Sequence, residues 1–190
     1  MTDNSRPFGR AIRNLPWATV GIIAANVIVT LATLHNFRDA ALDYGLVPAE
    51  LRTGRFFTAN FLHDGFLHLG MNMVLLYIFG SGLERAIGRL EFVLFYIGAC
   101  FAASILHVAI VYASLPPYYT TRVVVGASGA IAGVMGLYAV RFHRKIFNLD
   151  GIEVSALFLI MCWLMLQVGM GVLALYRDDI FGLRLRYVAY

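Results

Sequence analysis

Residues 92–115 read FVLFYIGACFAASILHVAIVYASL, a stretch without a single Asp, Glu, Lys or Arg. A helix needs about 17–25 such residues to cross the hydrocarbon core of a bilayer. One stretch of this kind alone would also fit a buried helix or a single anchor. Five in series predict an all-α, polytopic membrane protein, with spans at residues 15–34, 65–83, 92–115, 123–140 and 154–176.

The overall composition agrees with a membrane domain, since 60% of the residues are hydrophobic, 14% are charged and the mean hydropathy is +0.74. The net charge of +4 raises the question of a nucleic-acid partner. The basic residues are spread over short loops and form no patch, so we expect no nucleic-acid binding. Cys100 and Cys162 fall inside apolar stretches without metal-ligand spacing, which favours packing roles. We therefore expect neither a cofactor nor a metal.

The chain divides into a short polar N-terminal tail, residues 1–14, and a single transmembrane domain, residues 15–190. The longest connection, residues 35–64, alternates apolar and charged side chains. We expect this loop to lie at the membrane interface, with one short helix starting at Pro48. Basic residues are almost equally divided between the two sides, and the cluster at 141–145 favours a cytoplasmic N-terminus.

Two polar residues on the second predicted span, His68 and Asn72, lie four positions apart and therefore share one face of a helix. Polar side chains are costly in hydrocarbon, so each needs a reason. Three roles fit the pair: donors to an oxyanion in acyl transfer, hydrogen bonds that hold the bundle together, or metal ligands. The metal role would need another His or a carboxylate, and no acidic residue lies within the five stretches.

The fourth predicted span contains, near its start, the short motif Gly126-Ala127-Ser128-Gly129. If the helix starts near Ser128, its hydroxyl and the free N–H groups of the first turn face the same small volume. That arrangement combines a nucleophile with donors for an oxyanion. The motif alone is weak evidence, because small residues fill many membrane helices. Four glycines share one helix face, which predicts the close approach of another backbone: Gly126, Gly129, Gly133 and Gly136.

A serine nucleophile needs a base, and the sequence offers no evident one for Ser128. His35 and His143 lie in predicted loops, and His143 belongs to the opposite membrane face. His63 stands at a loop-to-helix junction, where we expect it to brace the interfacial loop. For His107, deep in the third span, a hydrogen-bonded packing role is favoured over that of a base. The lack of a carboxylate also excludes a full Ser-His-Asp triad within the spans.

In their order and spacing, these motifs resemble the rhomboid family of intramembrane serine proteases. The resemblance runs from about Tyr44 to Arg141 and implies a rhomboid-like helical bundle of six spans with an interfacial loop between the first two. It is carried by GLVP at 45–48, GRFFT at 54–58, FLH at 61–63, His68, Asn72, LER at 83–85, Gly88 and GASG at 126–129.

The resemblance also implies roles for individual residues. Ser128 would attack the scissile carbonyl, and its own backbone N–H, with the side chains of His68 and Asn72, would hold the oxyanion. The fifth span would act as a lateral gate for the substrate helix. Structural roles are implied for Arg55, Glu84 and Arg85.

The sequence departs from the family pattern at its end. The family's general base is a histidine on the sixth span in an Ala-His-x-x-Gly context, and that helix should pack on the glycine face. The last four residues, 187–190, resemble the opening of an apolar helix. We therefore expect five of six spans, a domain incomplete at its C-terminus, an exposed glycine face and no activity in these 190 residues.

The leading function is an intramembrane serine endopeptidase that cleaves transmembrane segments through an acyl-enzyme. The alternative is a catalytically inactive rhomboid-like protein that binds transmembrane clients, although the retention of Ser128, His68 and Asn72 argues against it. A transporter or channel is disfavoured by the lack of an intramembrane carboxylate or lysine. The expected partners are transmembrane substrates and the lipid bilayer, and the expected location is a bacterial inner membrane. The sequence predicts neither the oligomeric state nor the substrate.

Overall fold

A computed structural model describes residues 15–149, 152–181 and 187–189, with side chains described for residues 15–148 and 153–172. Two short 3-10 helices, Ala59–Phe61 and Pro117–Thr121, lie in the connections. The helices are α1 (Trp17–Thr33), α2 (Phe37–Tyr44), α3 (Arg55–Thr58), α4 (Phe66–Ile87), α5 (Arg89–Ser114), α6 (Ser128–Arg141) and α7 (Ala156–Phe181). The strands are β1 (Val123–Val125), β2 (Ile146–Leu149), β3 (Ile152–Ser155) and β4 (Tyr187–Ala189).

Each of the five stretches predicted to span the membrane contains a helix. By length and composition, α4 and α5 can cross a bilayer, with mean hydropathies of 1.5 and 2.2 in their most apolar windows. α1 has 17 residues and α6 has 14. The part of α7 whose side chains are described, Ala156–Val172, is an apolar segment. The helical class of the fold is confirmed, and the count of five spans stays a prediction.

The surface of α5 is that of a helix surrounded by apolar solvent. Only 17% of its most apolar window is buried within the protein. Large apolar side chains such as Leu94, Ile105, Leu106 and Ile110 are exposed along it. A contiguous surface of this kind is an interaction or membrane surface, since water-soluble monomers rarely expose one. The exposure pattern therefore agrees with a helix that contacts lipid.

The start of α1 is fixed by the end of α4. Glu84, buried in the last turns of α4, accepts hydrogen bonds from the N–H groups of Ala18 (3.0 Å) and Thr19 (2.8 Å) and from the Thr19 hydroxyl (2.7 Å). N–H groups in a first helical turn have no acceptor within their own helix, and a carboxylate favours the positive end of the helix dipole. The start of α1 and the end of α4 therefore lie at the same end of the bundle. Gly88, at φ 99°, then lets the chain turn directly into α5.

Small residues let α5 and α6 pack closely. A Cβ atom on Gly129 would lie 2.7 Å from the Cβ of Ala103, and one on Gly133 would lie 3.0 Å from that of Ala99. Because ordinary carbon–carbon contacts are about 3.5–4.0 Å, only glycine permits this approach. The expectation of an exposed glycine face awaiting a sixth helix is wrong at these two positions. Ala99 and Ala103 of the third predicted span cover Gly133 and Gly129, because the alanines repeat at the same four-residue spacing as the glycines. Gly136 is not covered in this way, since a Cβ atom there would meet no atom within 4 Å.

The segment between α1 and α4 contains α2, α3 and a 3-10 helix, but its middle differs from the prediction. Pro48 lies in a turn rather than at the start of a helix. The adjacent backbone bonds to a distant part of the chain instead: Leu46 forms a β-bridge with Val124, and the N–H of Ala49 donates to the carbonyl of Thr120. These long-range bonds override the local preference of proline for a first helical turn, so the predicted helix at Pro48 is wrong.

Two small sheets complete the fold. β1 pairs in parallel with β4, with Val124 opposite Val188, and β2 pairs antiparallel with β3. The fourth predicted span therefore begins with a strand, because the backbone of β1 bonds to β4 and, through Val124, to Leu46. The helix expected to open at residues 187–190 is also replaced by strand over Tyr187–Ala189, while residue 190 lies outside the described part.

Candidate active site

Ser128 is the first residue of α6, as the sequence predicted. Gly126 before it adopts φ 122°, a conformation that residues with a side chain rarely adopt, and its N–H donates to the carbonyl of Ala59 (2.9 Å). This turn takes the chain from β1 into α6 and leaves Ser128 8% exposed. Gly126 is thus required for the turn, whereas the sequence had predicted that it packs against another helix. The N–H groups of the first turn of α6 lie beside the Ser128 side chain.

A cavity of about 310 Å³ lies between α5, α6 and the interfacial segment, and Ser128 forms part of its wall. The other polar side chains on the wall are Asn60, Ser104 and His107. Asn60 and Ser104 both donate to the carbonyl of Phe56, at 3.0 and 2.8 Å. The bond from Ser104 holds α3 against α5, whereas the bond from Asn60 stays within α3 and the 3-10 helix that follows it. His107, predicted to have a packing role, therefore borders the same cavity as the candidate nucleophile.

His68 and Asn72 lie in the first turns of α4, whose segment Phe66–Leu75 contacts α6. Asn72 is buried, and its side-chain amide donates to the backbone carbonyl of His68 at 3.1 Å. Leu69 and Met73, which adjoin the pair on α4, belong to the same hydrophobic cluster as Ala127 and Ala130. Among the described residues, the wall of the Ser128 cavity includes neither His68 nor Asn72. The structure thus places the polar pair and the serine at adjacent helix starts without joining them in one cavity.

Asp64 is the polar residue that the sequence reasoning missed. Its Oδ1 atom lies 2.8 Å from Nδ1 of His68, and this hydrogen bond is the main cause of the lowered pKa of the Asp64 carboxyl. Asp64 lies just before an apolar stretch, so the absence of acidic residues within the stretches does not extend to it. Its position four residues before His68 was the available signal, because that spacing joins side chains at a helix start.

His63 is buried against both α1 and His68. Its Nδ1 lies 3.4 Å from the hydroxyl of Thr30, and its ring stands edge-on to that of His68 with 4.9 Å between centroids. Burial, followed by the neighbouring His68, lowers the pKa of His63 to about 4. His63 is therefore neutral near pH 7. Its contact with Thr30 supports the expected bracing role.

The remaining predicted site residues make contacts of a structural kind. Arg55 is buried, donates to the carbonyls of Leu42 (2.8 Å) and Asp43 (3.2 Å) at the end of α2, and pairs with Glu50 at 3.0 Å. Cations and N–H donors at a helix C-terminus compensate the carbonyls that lack partners there.

Arg85 donates to the hydroxyl of Ser81 at 3.1 Å within α4. Within the described part of the chain, no three His, Cys, Asp or Glu side chains converge in a way that could hold a metal ion.

A second, almost wholly apolar cleft of about 510 Å³ separates the start of α4 from α7. Its walls include Phe66, Met71 and Val74 of α4 and Trp163 and Leu166 of α7. The α4 side of this cleft belongs to the helix that carries His68 and Asn72. The two helices that form it are the second and fifth predicted spans.

Comparison with known proteins gives consistent matches. A family model described as "Rhomboid domain" matches residues 51–182. The putative rhomboid protease YdcA of Bacillus subtilis is 33% identical over 128 residues, which cover 67% of this chain and 57% of that protein. Rhomboid protein 1, mitochondrial, of Saccharomyces cerevisiae is 37% identical over 137 residues, covering 70% of this chain and 38% of that protein. RHOMBOID-like protein 6, mitochondrial, of Arabidopsis thaliana is 38% identical over 96 residues, covering 50% and 29%. The matched region thus spans between 29 and 57% of the length of these relatives.

Proposed function

Because the chain belongs to the rhomboid family, whose members are integral to membranes, we propose that it is a serine endopeptidase that cleaves transmembrane segments. The observation that carries the proposal is the position of Ser128 at the start of α6, on the wall of a cavity and after the Gly126 turn. A helix start offers backbone donors where an oxyanion forms. The names of two relatives, YdcA and the protease GluP of Bacillus subtilis, support protease chemistry in the family.

In the proposed reaction, Oγ of Ser128 attacks the scissile carbonyl while a base takes its proton. The carbonyl oxygen becomes an oxyanion, which the Ser128 backbone N–H and the side chains of His68 and Asn72 stabilise. The amine leaves with a proton, and water then hydrolyses the acyl-enzyme. The contact between the first part of α4 and α6 supports this assignment. Because His68 and Asn72 lie outside the wall of the Ser128 cavity, the proposal also requires their side chains to reach the oxyanion during the reaction.

The proton of Ser128 needs an acceptor, and two candidates make different predictions. The family resemblance assigns the base to a histidine in an Ala-His-x-x-Gly context, which does not occur in these 190 residues. The cavity wall offers His107. The expectation that the 190 residues alone are inactive rests on the first candidate. Cleavage of a transmembrane reporter by these residues, lost in both Ser128→Ala and His107→Gln, would contradict that expectation and assign the proton to His107.

The apolar cleft between α4 and α7 supports a lateral route for the substrate helix. An apolar segment leaving the lipid can enter it without exposing its side chains to water. We also propose a bacterial inner membrane as the location and a cytoplasmic N-terminus. The comparisons do not decide the location, because the relatives include mitochondrial proteins.

Labelling with an alkyl fluorophosphonate tests the nucleophile in membranes that contain the protein. We expect Ser128 to take the label where the chain includes the expected histidine base, and Ser128→Ala to abolish that label. Ser104→Ala is the matched control, because Ser104 borders the same cavity but donates its hydroxyl to a backbone carbonyl. Label that persists in Ser128→Ala would refute the assignment. A protein that takes no label but retains a co-expressed transmembrane segment through purification would support the alternative, a client-binding rhomboid-like protein.

A further inference from the structure

The hydrogen bond between Asp64 and His68 is a chemical feature that the proposed reaction does not use. Oδ1 of Asp64 contacts Nδ1 of His68 at 2.8 Å, and the carboxylate is half-exposed whereas the imidazole is 16% exposed. The other ring nitrogen of His68, Nε2, is fully buried and has no hydrogen-bond partner among the described residues. The ring is therefore held at one nitrogen and presents the other to the interior of the protein.

The hydrogen bond determines which nitrogen carries the proton. An ionised carboxylate only accepts, so Nδ1 of His68 must be the donor. A neutral imidazole has one N–H group, so its Nε2 then carries a lone pair and cannot donate to an oxyanion. Donation from Nε2 requires the imidazolium, whose positive charge Asp64 compensates.

We propose that Asp64 is a positioning residue that holds the proton of neutral His68 on Nδ1, so that His68 donates to the oxyanion only after it takes up a second proton. The inference rests on the proposed function for its consequence in catalysis. The hydrogen bond of Asp64 to His68 is independent of that function.

Among the described residues, no second charged group contacts His68 in addition to Asp64. His63 stands edge-on to its ring and is neutral near pH 7. The described residues of α1, 17–33, include no charged side chain, and those of α6 include one, Arg141. Arg141 lies at the opposite end of α6 from Ser128. Asp64 is thus the one charged group that the described contacts place against His68.

Nitrogen-15 NMR of histidine-labelled protein in micelles tests the inference without any need for activity. The His68 signals are assigned by their loss in His68→Gln. At a pH where the ring is neutral, we expect Nδ1 to carry the proton in the wild type and in Asp64→Asn, whose amide oxygen still accepts. In Asp64→Ala the proton should move to Nε2. Asp43→Ala, which removes an exposed carboxylate from the same interfacial segment, should leave the wild-type pattern.

The pH dependence of reporter cleavage gives the second readout. The wild-type rate should fall on the alkaline side as the imidazolium is lost, and Asp64→Ala should not show this fall, because its neutral ring donates from Nε2. The ratio of the Asp64→Ala rate to the wild-type rate should then grow by up to about tenfold per pH unit. A purely structural role for Asp64 would lower the rate equally at every pH.

Two results would overturn the inference: a neutral wild-type ring with its proton on Nε2, or a tautomer that Asp64→Ala leaves unchanged. Cleavage needs a base for Ser128, which these 190 residues alone are expected to lack, so the rate comparison applies where a reporter is cleaved. The NMR comparison decides the role of Asp64 whether or not a reporter is cleaved.

Discussion

Replacing Gly129 by alanine should separate α5 from α6 and lower the free energy of unfolding. The added Cβ would lie 2.7 Å from the Cβ of Ala103, about 1 Å less than an ordinary contact, so the helices must move apart by about that distance. Overpacking of this kind costs about 1–3 kcal/mol. Gly133→Ala should cost less, because its Cβ would lie 3.0 Å from Ala99.

Gly136→Ala is the matched control for this prediction. A Cβ atom on Gly136, in the same helix, would meet no atom within 4 Å, so this substitution adds no steric clash. Its expected effect is therefore only the gain of about 1 kcal/mol in helix propensity. The difference between Gly129→Ala and Gly136→Ala therefore isolates the steric term. Ala103→Gly should restore much of the loss, with a coupling energy of about 0.5–3 kcal/mol in the double-mutant cycle.

The assay is unfolding by dodecyl sulfate in mixed micelles, followed by circular dichroism. Equal free energies of unfolding for Gly129→Ala and Gly136→Ala would refute the reasoning, and so would a double mutant no more stable than additivity predicts. The measurement does not depend on catalysis, although Gly129 neighbours the candidate nucleophile.

Two further predictions concern charge. Glu84→Gln should lower the free energy of unfolding by about 1–2 kcal/mol. The neutral amide no longer stabilises the positive end of the α1 dipole, and it keeps only one oxygen to accept from the donors of Thr19. Glu91→Gln, which changes an exposed carboxylate after the same corner, should have little effect in the same assay. His63 has a pKa of about 4 in the folded protein against 6.5 ordinarily, so between these values the folded state binds fewer protons than the unfolded state. The stability that neutral His63 contributes is therefore complete above about pH 6.5 and falls by up to about 3 kcal/mol as the pH drops toward 4. His63→Gln should flatten this dependence, and the exposed His35→Gln should keep it; an unchanged slope in His63→Gln would contradict the assignment.

The sequence predicted the features that local patterns determine. Charge-free stretches marked each of the long helices, and the Gly126-Ala127-Ser128 motif marked the start of α6. The glycine spacing indicated a closely packed face but could not identify its partner, because that choice depends on which small residues another helix brings to the same depth. Ala99 and Ala103 met that condition.

Backbone pairing between distant segments was beyond the reach of local reasoning. The turn at Pro48 and the strand before Ser128 both arise because Leu46 and Val124 exchange hydrogen bonds. Asp64 differs from these cases, because it lies just outside an apolar stretch and its side chain reaches His68, one helical turn inside that stretch.

The contact between Glu84 and the start of α1 also sets an order of events during synthesis. Thr19 leaves the ribosome 65 residues before Glu84, an interval of about 3–13 s at translation rates of about 5–20 residues per second. During that interval α1 can enter the membrane, but its first N–H groups lack this carboxylate. These N–H groups therefore gain their acceptor only when α4 has been made, so the contact stabilises the two helices as a pair.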